Sequence, residues 1–194
     1  MIQLDTSWLQ HVQKPARYTG GEYNSIVKDH STVDVTMALG FPDVYEVAMS
    51  HLGIKILYGL VNRREDAVAE RVFAPWHDME EEMRKRNIPL FSLETRTPIK
   101  DFDVLAFTLQ YEMSFTNILN MLDLAGIPMY AKERDLDFPL LVCGGPCAYN
   151  VEPIADFFDI VSLGESEEWG DEFIDLFKSR KSQRLPRWQR RLFA

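Results

Sequence analysis

From residue 33 to residue 177, apolar runs of strand length alternate with apolar stripes of helical period. The segment 33–41, VDVTMALGF, is β-branched and apolar, ends before Pro42 and predicts an interior strand. In 50–62, Leu52, Ile56, Leu57 and Leu60 fall on one stripe, which predicts a single amphipathic helix with Ser50 as its N-cap. A short strand follows at 69–75. The helix expected at 77–87 has acids early and bases late, the order favoured by the helix dipole. Residues 88–93, IPLFSL, read as a further short strand, and 103–109, DVLAFTL, as a strand buried on both faces. Phe115, Ile118, Leu119, Leu122 and Ala125 mark a helix over 114–126, stopped by Gly126. FPLLVCGG at 138–145 is a buried strand ending in two glycines. Another strand closes at Gly164, and an acidic helix runs from 165 to about 177.

Strand and helix alternating at this length predict an α/β fold with a doubly wound, mainly parallel sheet of flavodoxin-like type. Ligands of such sheets sit beyond the carboxyl ends of the strands, at the switch point. Attention therefore falls on the loops after Phe41, Leu109, Cys143 and Leu163. The polar residues 1–32, with Pro15 and the pair Gly20 and Gly21, read as an extended lead-in that contributes no chemistry.

A chain of 194 residues, 46% apolar and 26% charged, suits one globular domain and excludes a wholly disordered or collagen-like one. Its net charge of -9 argues against a general electrostatic grip on nucleic acid or anionic membranes. That charge is unevenly placed. Residues 178–194 hold seven basic side chains and no acidic one, so the chain reads as an acidic domain over 33–177 with a basic tail. A tail with Trp188 as its one tryptophan makes a weak RNA-binding arm. Two cysteines cannot form a disulfide framework, the start lacks the regions of a signal peptide, and no apolar run reaches the roughly 18–20 residues of a membrane span. A cytoplasmic protein is the expectation.

Candidate chemistry concentrates at the predicted carboxyl edge. Gly144 and Gly145 follow a buried strand, where missing side chains let a ligand approach the backbone or simply let the chain turn. Gly164 and Glu165 stand at the equivalent place after the next strand. Thr108 and Gln110 offer hydrogen-bonding groups there, and Tyr111 a flat face. Cys143 and Cys147 have the first spacing of a CxxxCxxC motif, but the third position is Asn150, so no iron–sulfur cluster is expected on them. His51, alone at a helix start, reads as a surface or capping residue. His11, His30 and His77 have no partner at metal-ligand spacing. GxSxG, HExxH, GxxxxGK[ST] and GxGxxG are absent, so hydrolase and nucleotide chemistry have no visible basis. The acids Glu165, Glu167, Glu168, Asp171 and Glu172 read as a solvated helix face, and Trp169, Phe173 and Phe177 as its core-facing stripe.

Several segments together resemble the N-terminal part of radical SAM proteins whose leading domain is of the cobalamin-binding type. They are KPARYTGGEYNSIVKD, FPDVYEVAMSHLGIKILYGLVN, ERVFAPW, PLFSLET, FTLQYEMSFTNILNMLDLAGIP, CGGPCAYNVEPIADFFD and LGESEEW, covering roughly 14–177. The resemblance implies a domain that precedes a barrel carrying CxxxCxxC, with a [4Fe-4S] cluster and S-adenosylmethionine bound on that barrel. It implies cobalamin as the ligand here, with Thr108 and Gln110 lining the slot for its nucleotide tail. Gly144 and Gly145 would let that tail pass, and Gly164 and Glu165 would close the same edge. The B12-binding signature DxHxxG is absent, since SHLG at 50–53 supplies a histidine without the aspartate or the final glycine. Two roles follow: a domain holding a corrinoid or substrate against the barrel, or a cofactor-free module docking on it. The stretch SRKSQRLPRWQRRLFA resembles nothing expected between the two domains. It reads as a truncated or frameshifted junction to a missing domain, or as the end of a free-standing module.

Overall fold

The computed structural model describes residues 6–181. Five parallel strands form one sheet in the order β2-β1-β3-β4-β5: β1 Val35–Phe41, β2 Ala67–Phe73, β3 Val104–Thr108, β4 Leu140–Gly144 and β5 Ile160–Val161. This is the doubly wound order of flavodoxin-like folds, with the switch point between β1 and β3. Each strand presents alternate residues to two separate cores. One face carries Met37, Leu39, Val104 and Val142 and is covered by α1 Tyr45–Ser50, α2 Leu52–Asn62 and α5 Ser166–Lys181. The other carries Ala38, Leu105, Leu141 and Cys143 and is covered by α3 His77–Arg86 and α4 Phe115–Ala125. Both α3 and α4 end on a left-handed residue, Asn87 and Gly126.

Three sequence expectations are corrected. The helix expected over 50–62 is α2, but the extended backbone of His51 (φ -80°, ψ 122°) makes His51, not Ser50, its N-cap, and this break separates it from α1, a short helix in the preceding segment that reads as a loop in the sequence. The break turns α2 so that Ile54, Tyr58 and Val61 face the sheet, while Leu52 and Ile56 are exposed. Residues 88–93 form no strand. Pro89 and Pro98 lack the donors a ladder needs, and one antiparallel bridge, Phe91 with Pro98, is all the pairing there. The connection after β4 runs through 3-10 turns at Pro146–Asn150 and Glu152–Phe157. Finally, α5 continues to Lys181, four residues past the expected domain end. The remainder of the basic tail, 182–194, lies outside the described residues.

The lead-in is a strap along the outer edge of β2. Trp8, Leu9 and Val12 enter the core beside α3 and α4. Farther on, Lys14 and Arg17 pair with Glu46 of α1, at 2.9 Å each, and the Tyr18 hydroxyl accepts from the Trp76 N–H. Gly20, at φ +67°, lies so close to the Leu93 carbonyl that a Cβ there would come within 2.4 Å of its oxygen. Lys28 Nζ then donates to the carbonyls of Asn62, Arg64 and Ala67, closing the carboxyl end of α2. Next, the His30 ring meets Glu70 at 2.6 Å. Edge strands are open to pairing with other chains, and this strap, together with Leu93 and Glu94 bonded to the Arg71 backbone, closes this one.

Candidate functional site

At the carboxyl ends of the strands the sheet and the helices of one face separate, leaving a cavity of about 410 Å³. It is a slot rather than a bowl. Its floor is the apolar face of β1, β3 and β4, with Met37, Leu39, Val104, Ala106 and Val142. Its opposite walls are Ile54, Leu57 and Val61 of α2 and Trp169 and Phe173 of α5. The Trp169 and Phe173 rings stack at 4.7 Å between centroids, so the α5 wall is a continuous aromatic surface. Trp169, Phe173 and Phe177 all pack on the core as the stripe predicts, and Trp169 and Phe173 also line the slot.

All six residues singled out in the sequence, Thr108, Gln110, Gly144, Gly145, Gly164 and Glu165, line this cavity. The reason is topological, because each follows the carboxyl end of a parallel strand. Gly145 (φ +104°) is required by the chain itself: a Cβ there would stand 2.9 Å from the Leu109 carbonyl oxygen. Gly144 differs. A Cβ at Gly144 would meet only Ser162 and Ser166 at 3.6–3.9 Å, so its missing side chain leaves room in the slot and satisfies no backbone demand.

His51, read from the sequence as a surface or capping residue, also lines the slot. Its ring packs against Phe41, 5.2 Å between centroids, and over Gly53, whose lack of a Cβ makes the space. His51 Nε2 donates to Gln110 Oε1 at 3.0 Å, and the Gln110 amide donates in turn to Thr108 Oγ1. A relay therefore ties the start of α2 to the exit of β3 across the mouth. His51 Nδ1 is buried with no partner. With Nε2 engaged and Nδ1 enclosed beside Gly53, neither nitrogen is presented to a metal in the slot.

Cys143 is buried beneath the sheet, where burial pushes its thiol up to about 12, and Cys147 is raised by burial and by the neighbouring Glu112 carboxylate. Among the described residues no group of three His, Cys, Asp or Glu side chains could hold a metal ion. Nor, among them, is any helix long and apolar enough to cross a membrane.

Beyond the carboxyl ends of the strands, large apolar side chains are exposed: Leu52 after β1, Trp76 after β2, Met113 after β3, Tyr149 after β4 and Leu163 after β5, of which Tyr149 also lines the slot. The opposite edge of the sheet is charged. There Asp34, Asp66 and Asp103 pair with Lys178 and Lys181 of α5.

Comparison with known proteins agrees with this architecture. The family model described as radical SAM proteins, N-terminal, matches residues 53–192. The chain belongs to this family. The matched region of the radical SAM N-terminal family begins in α2 and contains the α2 and α5 walls and the mouth loops after β3, β4 and β5. It also runs through the basic segment to residue 192, which corrects the expectation that 178–194 falls outside any resemblance. The uncharacterized protein MJ0966 of Methanocaldococcus jannaschii is 27% identical over 134 residues, 68% of this chain and 24% of that protein. The chain thus spans about a quarter of the length of this curated relative. No solved structure matches.

Proposed function

We propose that this is a cobalamin-binding-type domain that holds a corrinoid or substrate at the carboxyl edge of its sheet, facing the iron–sulfur and S-adenosylmethionine barrel of a radical SAM protein. The observation that carries this reading is the slot. It is deep, apolar, walled by aromatic rings on α5, and opens where doubly wound sheets take their ligands. The residues fit such a group in part. Gly144 leaves backbone open to a ligand, Thr108 and Gln110 supply polar anchors at the mouth, and Gly164 and Glu165 border the same edge. They do not fit axial ligation of cobalt, because His51 is engaged by Gln110. A bound corrinoid would supply methyl-transfer chemistry. This chain's part is to bind, orient and shield.

The test is titration of the protein with hydroxocobalamin followed by desalting. Retained corrin absorbance that Gly144→Leu abolishes, with the variant's unfolding temperature unchanged, supports the reading; a colourless protein overturns it.

The apolar rim favours a second reading, a cofactor-free module that docks on the barrel through this same edge. Leu52, Met113, Tyr149 and Leu163 are more than 60% exposed and all follow the carboxyl ends of strands, and exposed large apolar groups can mark a contact surface. A protein that retains no corrin favours this reading. The RNA-binding alternative loses support, because Lys178 and Lys181 are held by aspartates of the sheet's amino edge.

A further inference from the structure

The charge at the mouth is of one sign. Among the residues lining the cavity there is no lysine and no arginine, while Glu165 and Glu167 are both present and exposed. His51, the other titratable nitrogen base of the wall, has its Nε2 proton committed to Gln110. The amino ends of α2 and α5 both open on the slot, and helix amino ends are where doubly wound folds hold phosphate. Here the α5 end is flanked by two carboxylates, Glu165 immediately before it and Glu167 in its first turn, which satisfy the helix dipole from within the chain. At the α5 end a phosphomonoester would meet two carboxylates and, among the described residues that line the cavity, no lysine or arginine. The interior below them is apolar and flat, bounded by Leu39, Ala106 and Val142 on one side and by Leu57, Trp169 and Phe173 on the other.

We propose that Glu165 and Glu167 act as a charge filter on this slot, so that it accepts an uncharged planar ring system and rejects the same ring carrying a phosphomonoester. The proposal rests on the slot being a ligand site, and goes beyond the corrinoid reading by fixing the charge class of ligand. Hydroxocobalamin has no net negative charge, and the phosphate of its nucleotide tail is a singly charged diester, not a monoester. Flavin mononucleotide, the ligand that this strand order holds in flavodoxins, does not pass such a filter.

Riboflavin and flavin mononucleotide are the decisive pair of probes, since they share one ring and differ by a phosphate. With flavin fluorescence as the readout at low ionic strength, riboflavin is expected to bind at least about tenfold more tightly. Glu165→Gln with Glu167→Gln brings the ratio to within about threefold, and added salt narrows it in the parent protein. Lysine at both positions reverses it. Both side chains are exposed, so the variants should keep the parent's unfolding temperature, which is measured alongside. The proposal is overturned by flavin mononucleotide binding as tightly as riboflavin, by a ratio that the double variant leaves unchanged, or by neither flavin binding at millimolar concentration. The two proposals separate cleanly: discrimination between flavins without retained corrin removes the corrinoid alone, and retained corrin without discrimination removes the filter alone.

Discussion

Glu70 shows how a single side chain fastens the strap. It lies in β2, fully buried, where burial alone would raise its pKa. Hydrogen bonds from His30, Ser92 and the Thr95 hydroxyl and backbone N–H outweigh that effect and hold the carboxyl below its ordinary value. A carboxyl with a depressed folded pKa gives its full stabilisation above its unfolded value, about 4.3, and loses it as pH falls through the folded value. Denaturant unfolding followed from pH 7 downward should therefore lose stability below about pH 4. In Glu70→Gln the neutral-pH stability should drop by about 2 kcal/mol and the acid limb should become shallower. Equal acid sensitivity in parent and variant would show that other carboxylates carry the effect. The same network makes His30 a structural residue, as its lack of a metal-spaced partner in the sequence suggests.

At the level of elements, what was legible followed from periodicity. The strands at 33–41, 103–109 and 138–145 are β1, β3 and β4 with a residue or two trimmed from each end, because continuous apolar runs are unambiguous in a sheet covered on both faces. That the six candidate residues share one edge was legible for the same reason: parallel topology carries every strand-end residue there. The α1–α2 break was not legible, since Ser50 and His51 carry no glycine or proline signal and the apolar stripe continues through them. The strap was not legible either, because it is held by single long-range contacts and has no period of its own. Lys28 is its tie to the α2–β2 connection, giving one ammonium to the carbonyls of Asn62 at the helix end, Arg64 in the turn and Ala67 at the start of β2. Removing it leaves those carbonyls without that donor in a partly buried place. Lys28→Met is expected to cost about 2 kcal/mol and to raise amide exchange selectively in the last turn of α2. Uniform acceleration across the sheet would mean that Lys28 supports the whole domain and not this helix end.

Across the whole molecule, α5 joins the two dissimilar edges. Its first turns carry Glu167 and Trp169 into the slot, and its last turn reaches the charged amino edge, a span of about 24 Å for 16 residues. The slot wall is therefore positioned by contacts made at the far end of the helix and along its side. Arg64 is central to these: its guanidinium meets Asp66 at 2.9 Å, Asp171 at 3.3 Å, and Asp175, so one side chain links the start of β2 to two turns of α5. These contacts hold the Asp66 carboxyl well below the usual range, with Lys178 adding to the effect of Arg64. The asymmetry of charge along the sequence acquires a physical meaning here, since part of the basic end neutralises the acidic edge of its own sheet. Arg64 is mostly buried but its partners on α5 are substantially exposed, so the network is worth less than its distances suggest. Arg64→Met should lower the unfolding free energy by about 1–2 kcal/mol in dilute buffer, and by less in about 0.5 M salt, where the parent's ion pairs are themselves screened. A loss that salt leaves unchanged would assign the effect to packing of the arginine stem.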